Sequence, residues 1–135
     1  MVQIGGRFQL IRNERFWEHL AALGIPEERA KVVDATKPIL EVRIEGKDVT
    51  ISTILDDSTV SSNFILNEEV DEKIVLNILL KSTITFNENQ LKITSRGPNG
   101  ETGTRIYDFT DTGIIMTLVA EDPNVPTAKR YYQRI

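Results

Sequence analysis

From Lys37 onward the chain is a succession of short runs in which apolar and polar residues alternate, each closed by a turn signal. ILEVRIE sets Leu40, Val42 and Ile44 against Glu41, Arg43 and Glu45; a Glu-Gly-Lys-Asp turn follows, and VTISTIL then puts Val49, Ile51 and Thr53 on one side. A period of two is what a strand with one buried face requires. Further runs are TVSSNFIL, LLKSTITF, QLKITSR, TGTRIYDF, GIIMTLVAE and TAKRYYQRI. They are punctuated by Asn87-Glu88-Asn89, Pro98-Asn99-Gly100, Asp111-Thr112-Gly113 and the longer loop from Glu121 to Pro126. Turn residues at near-regular spacing predict antiparallel hairpins.

The N-terminal part has a different rhythm. Phe8 and Leu10 alternate with Arg7 and Gln9 as in a strand, after which Phe16, Leu20 and Leu23 recur at helical spacing. Gly24 supplies a stop, and Pro26 with Glu27 and Glu28 a new start, so a second short helix is predicted at roughly Pro26 to Val33. One helical pair inserted after the first strand of an all-β meander gives an up-and-down sheet of about eight to ten strands. A sheet that long is expected to curl and close, because closure removes the unpaired edges that template aggregation.

At 135 residues, with 40% hydrophobic and 27% charged residues, one globular domain spanning 1–135 is expected. A net charge of −4 argues against nucleic acid as a partner, since that binding draws on concentrated Lys and Arg. Without cysteine there is no disulfide framework, thiolate metal site or cysteine nucleophile. The start MVQIGGRF has no signal-peptide pattern, so a cytoplasmic location is expected; a monomer is expected as well.

A closed barrel of this size can enclose more space than its side chains fill. The strands carry Ser52, Thr53, Ser61, Ser62, Asn63, Thr83, Thr85, Thr94, Thr102, Thr104 and Thr117. Either many of these line a wet cavity or most face solvent. In the terminal run TAKRYYQRI, Ala128, Arg130, Tyr132 and Arg134 share one side and Lys129, Tyr131, Gln133 and Ile135 the other. Neither side is oily, which is unusual for a strand that closes a core.

In these features the chain resembles the intracellular lipid-binding proteins of the calycin superfamily, the fatty-acid-binding and retinoid-binding type. The resemblance spans essentially the whole chain. It rests on Gly6-Arg7-Phe8, Phe16 followed by Leu20-Ala21-Ala22-Leu23-Gly24, Lys37-Pro38, Phe64 with Glu68-Glu69, Lys81-Ser82-Thr83-Ile84-Thr85, and Arg130-x-Tyr132. Gly24-Ile25-Pro26-Glu27-Glu28 is most similar to liver-type members. The resemblance implies a ten-stranded flattened β-barrel with a helix-turn-helix lid, and a carrier of long-chain fatty acid or a similar hydrophobic carboxylate. It implies Arg130 and Tyr132 as the carboxylate anchor, and Phe16, Leu20, Val33, Leu55 and Leu76 as cavity or portal lining.

Such a ligand divides physically into two parts. Each buried methylene contributes roughly 0.8 kcal/mol. A charge-assisted hydrogen bond adds about 1.5–3 kcal/mol and fixes orientation.

The chain departs from the family pattern where a second anchoring Arg is usual. Tyr107 stands there, with Arg105 two residues earlier on the same face, and the pair reads as a displaced anchor. A one-residue slip in register would turn Thr104 and Ile106 inward instead. Phe8 replaces the usual Trp, Arg15 and Trp17 flank the lid's Phe16, and Asp57 stands where a portal Phe is expected. The apolar stretch KIVLNILLK, Lys73 to Lys81, is predicted as a hairpin whose 74–80 segment either forms a greasy lip for transient membrane or partner contact or folds over the cavity mouth.

Other chemistry finds little support. His19 is the only histidine and lacks a companion for a metal site. Asp56-Asp57 and the run Glu68, Glu69, Asp71, Glu72 lack the spacing of a calcium loop and read as solvated turns. Enzymatic activity would fall to Tyr107 and Tyr132, which are poor bases without activation. No enzyme, cofactor or metal is therefore expected. A bulkier acid such as a retinoid, bile acid or haem-like molecule, or an interaction module built on the 74–80 hairpin, are the alternatives to the fatty-acid carrier.

Overall fold

The structure, a computed structural model, describes residues 4–73 and 79–135. Its strands are β1 (Gly6–Glu14), β2 (Ile39–Glu45), β3 (Asp48–Ile54), β4 (Thr59–Ile65), β5 (Glu69–Lys73), β6 (Leu79–Asn87), β7 (Gln90–Arg96), β8 (Thr102–Phe109), β9 (Gly113–Ala120) and β10 (Ala128–Arg134). Helices α1 (Phe16–Ala22) and α2 (Glu27–Ala35) lie between β1 and β2. The strands form one antiparallel sheet in the order β4-β3-β2-β1-β10-β9-β8-β7-β6-β5, so the first and last strands meet in the middle. The barrel is nearly closed. Its ends, β4 and β5, are joined by a tight turn at Asn67, whose φ is 67°, rather than by a ladder.

The alternation read from the sequence places the core. Phe8, Leu10, Val42, Val49, Ile84, Leu91, Phe109 and Ile114 are fully or almost fully buried. Phe8 and Phe109 meet edge to face with ring centres 5.9 Å apart. These residues fill one end of the barrel. Further along the same inward faces come Leu40, Ile51, Ile93, Tyr107 and Met116, which border open space instead. The barrel is thus packed solid at one end and hollow beneath the lid.

One segment corrects the sequence reading. Glu69–Lys73 is strand β5, paired with β6 from Glu69↔Thr83 to Lys73↔Leu79, not a solvated turn. Glu72 is 5% exposed. Alternation in Glu-Val-Asp-Glu-Lys sets Val70 and Glu72 on one face, but three carboxylates within five positions mask so short a signal.

The hairpin expected at 74–80 falls mostly outside the described residues, Leu76 included; of its described members, Leu79 is exposed and Leu80 partly buried. No helix among the described residues is long and apolar enough to cross a membrane.

Candidate functional site

A cavity of about 390 Å³ lies between the lid and the barrel wall. Phe16, Leu20 and Val33 of the lid border it, as does Leu55 beyond the end of β3. Arg105 and Tyr107 of β8 and Arg130 and Tyr132 of β10 also face it. The inward set on β8 therefore contains Arg105 and Tyr107, in register with Leu118 and Met116 of β9. A second space of about 300 Å³ adjoins it between α1 and the lid-side ends of β7, β8 and β9, sharing Phe16, Leu20, Arg105 and Met116.

Arg130 is held in a defined pose. Its Nε donates to Asn13 Oδ1 at 2.9 Å, and its guanidinium carbon sits 4.0 Å from the centre of the Phe16 ring. The Tyr132 ring lies 5.7 Å away. Among the described residues no carboxylate pairs with Arg130. The inward side of β10 is polar because it presents this cation to the cavity, while Arg134, further along, stacks on Phe8 at 4.6 Å and donates to the Gly5 carbonyl at 2.9 Å.

Arg105 has a different setting. Its Nη1 donates to Glu72 Oε2 at 2.9 Å and its Nη2 to Glu72 Oε1, a two-pronged pairing of guanidinium and carboxylate. Nη2 also reaches Ser95 Oγ at 3.3 Å. Ser82 donates to Glu72 Oε1 at 2.8 Å and lies 2.7 Å from the Ser95 hydroxyl. Since the one proton of Ser82 is spent on Glu72, Ser95 donates to Ser82. The circuit is closed, and no buried side-chain polar atom among the described residues lacks a partner. Burial opposes the Arg105 charge, but hydrogen bonding to Glu72 and attraction to it offset that effect and push its pKa above the usual value.

Burial pushes the Tyr107 hydroxyl up to about 12, with nearby Arg105 acting in the opposite direction. Tyr132 is also raised by burial, against the pull of Arg130. Both phenols therefore stay protonated near neutrality and can donate hydrogen bonds. That suits an anionic guest better than proton abstraction.

The hydroxyl residues divide. Thr53 and Ser62 border the larger cavity and Thr102 and Thr104 the smaller one, whereas Asn63, Thr85 and Thr94 are exposed. Sequence reasoning missed Glu72 and Ser95 as parts of the interior. Their face could be read from alternation, but their link through Ser82 could not, because it joins three strands. His19, 6% exposed, ties the lid down: its Nδ1 lies 2.7 Å from the Pro126 carbonyl, which can only accept, so that nitrogen carries the proton. No group of three or more His, Cys, Asp or Glu suited to a metal occurs among the described residues.

No family model matches the chain. Individual proteins do. Cellular retinoic acid-binding protein 2 of Bos taurus is 32% identical over 128 residues, covering 90% of this chain and 93% of that one. A fatty acid-binding protein of Tyrophagus putrescentiae is 25% identical over 134 residues, covering 99% of each. Among solved structures, the fatty acid-binding protein from brain tissue of Drosophila melanogaster superposes with a TM-score of 0.84 at 28% identity, covering 96% of this chain and 98% of that one.

Proposed function

The chain belongs to the intracellular lipid-binding protein family, and on that premise we propose that it is a non-catalytic carrier of a long-chain fatty acid or similar hydrophobic carboxylate. The tail occupies the cavity under the lid, and the acid group meets Arg130 and Tyr132. The observation that carries this reading is the state of Arg130: it borders the cavity, is fixed by Asn13 and Phe16, and has no carboxylate partner among the described residues. An unpaired cation in a low-dielectric space is costly, and an anionic guest relieves that cost. A cytosolic location and action as a monomer go with the reading.

The test compares an acid with its methyl ester. Arg130→Ala is expected to weaken hexadecanoic acid by about tenfold or more while changing its methyl ester little, since only the acid forms a charge-assisted bond. Equal losses for both ligands would show that Arg130 is no headgroup anchor. Mass spectrometry of lipids extracted from the purified protein identifies the natural guest.

A retinoid acid is the second reading, favoured by the 32% identity to Cellular retinoic acid-binding protein 2. It offers the same headgroup on a stiffer tail, so parallel titrations with retinoic and hexadecanoic acids discriminate.

A further inference from the structure

Four cations border the cavity: Arg29 and Lys73 are exposed, while Arg105 and Arg130 are partly buried on the barrel wall, and these two are not equivalent. Arg130 faces the cavity with only Asn13 on its Nε, whereas both terminal nitrogens of Arg105 are engaged by Glu72. Glu72 on β5 reaches Arg105 on β8 across β6 and β7; Ser82 donates to Glu72, and Ser95 links Ser82 to Arg105. A carboxylate carried by the protein thus stands where an acid ligand would have to stand to use Arg105.

We propose that Glu72 is a resident counterion that occupies Arg105, so that the barrel wall offers a single cationic anchor and selects guests with one anionic group and an otherwise apolar body. This deepens the carrier reading and rests on Arg130 as the acid anchor. Arg105 and Arg130 border the same cavity, so releasing Arg105 would give that cavity a second available guanidinium. Removing the Glu72 charge would convert a one-arginine site into a two-arginine clamp. Removing both members of the pair changes no net charge and leaves the Arg130 site as it was.

The readout is the ratio of affinities for hexadecanoic acid and its methyl ester, measured by displacement of a fluorescent fatty-acid probe; the ester reports whether the cavity itself is intact. Glu72→Gln is expected to raise the acid-over-ester ratio by about tenfold, the worth of one added charge-assisted bond. In the Arg130→Ala background, adding Glu72→Gln restores an acid preference that Arg130→Ala alone has lost. If Glu72→Gln alone folds poorly, the paired variant Glu72→Gln with Arg105→Gln leaves no buried charge unmatched, and its ratio is expected to stay within about twofold of the unaltered protein. An unchanged ratio in Glu72→Gln with ester binding intact overturns the proposal. So does a large fall in the paired variant, which would mean that Arg105 already serves the ligand. A normal acid preference in Arg130→Ala, alongside a rise in Glu72→Gln, would instead remove Arg130 as the anchor and leave the role of Glu72 standing.

Discussion

The guanidinium of Arg130 lies 4.0 Å from the centre of the Phe16 ring, so the last strand of the barrel and the first residue of the lid meet directly. Asn13 completes the junction: it accepts from Arg130 and donates to Asp34 at the end of α2. Lid position and anchor position are therefore coupled through three side chains. A guest that moves Arg130 also bears on α1.

Phe16→Ala should remove both the stacking face and a large buried ring. A loss of about 3 kcal/mol in urea unfolding is expected, at the low end for Phe truncation because the site already borders open space. Phe16→Leu keeps apolar volume and should lose only about 0.5–1 kcal/mol, the cation–π share. Acid ligands should weaken in both variants, and a normal acid affinity in Phe16→Ala would show that the stack does not orient Arg130.

Glu72→Ala leaves Arg105 without its partner in a mostly buried place. Unfolding should be easier by about 3 kcal/mol, while the paired Glu72→Gln, Arg105→Gln variant should lose less than half as much. Chemical denaturation of both variants decides this. Equal losses would mean that the pair matters through packing and not charge.

Tyr107 gives the protein an alkaline limit. Its pKa is raised from 10.0 to about 12 by burial, so the unfolded chain releases the phenolic proton first. Stability from this group is whole below about pH 10 and declines as pH rises toward 12, by on the order of 2–3 kcal/mol across the window. Tyr107→Phe should flatten the slope of stability against pH between those limits; the raised Tyr132 contributes in the same direction. Urea midpoints collected across that range provide the check.

His19→Ala should loosen the lid by removing its bond to the Pro126 carbonyl, at a cost of about 1–2 kcal/mol for a buried pair that loses its donor. Amide exchange in α1 should quicken and ligand dissociation with it. His19→Gln, which retains a donor, should recover part of both. Unchanged exchange in His19→Ala would show that other contacts hold α1.

Much of the barrel was legible because strand alternation and turn chemistry are local. Leu40, Val42 and Ile44, or Arg130 and Tyr132, are assigned to one face by spacing alone, and the stop at Gly24 with the restart at Pro26 marks the lid. The helix pair is found as α1 and α2, and the chain order becomes the strand order once the sheet curls. β5 escaped this reading because its acidic composition outweighs its alternation over five residues.

The sequence by itself determined which side chains share a face, because the two-residue period of a strand needs no partner to be defined. Only the tertiary structure decided what those faces meet. Glu72 and Arg105 are 33 residues apart and become an ion pair across β6 and β7, while Asn13 and Arg130 are 117 apart and touch because β1 and β10 are neighbours. A charge written in the sequence has no sign of its partner beside it; whether it is satisfied by its own chain or left for a guest depends on distances that arise only on closure.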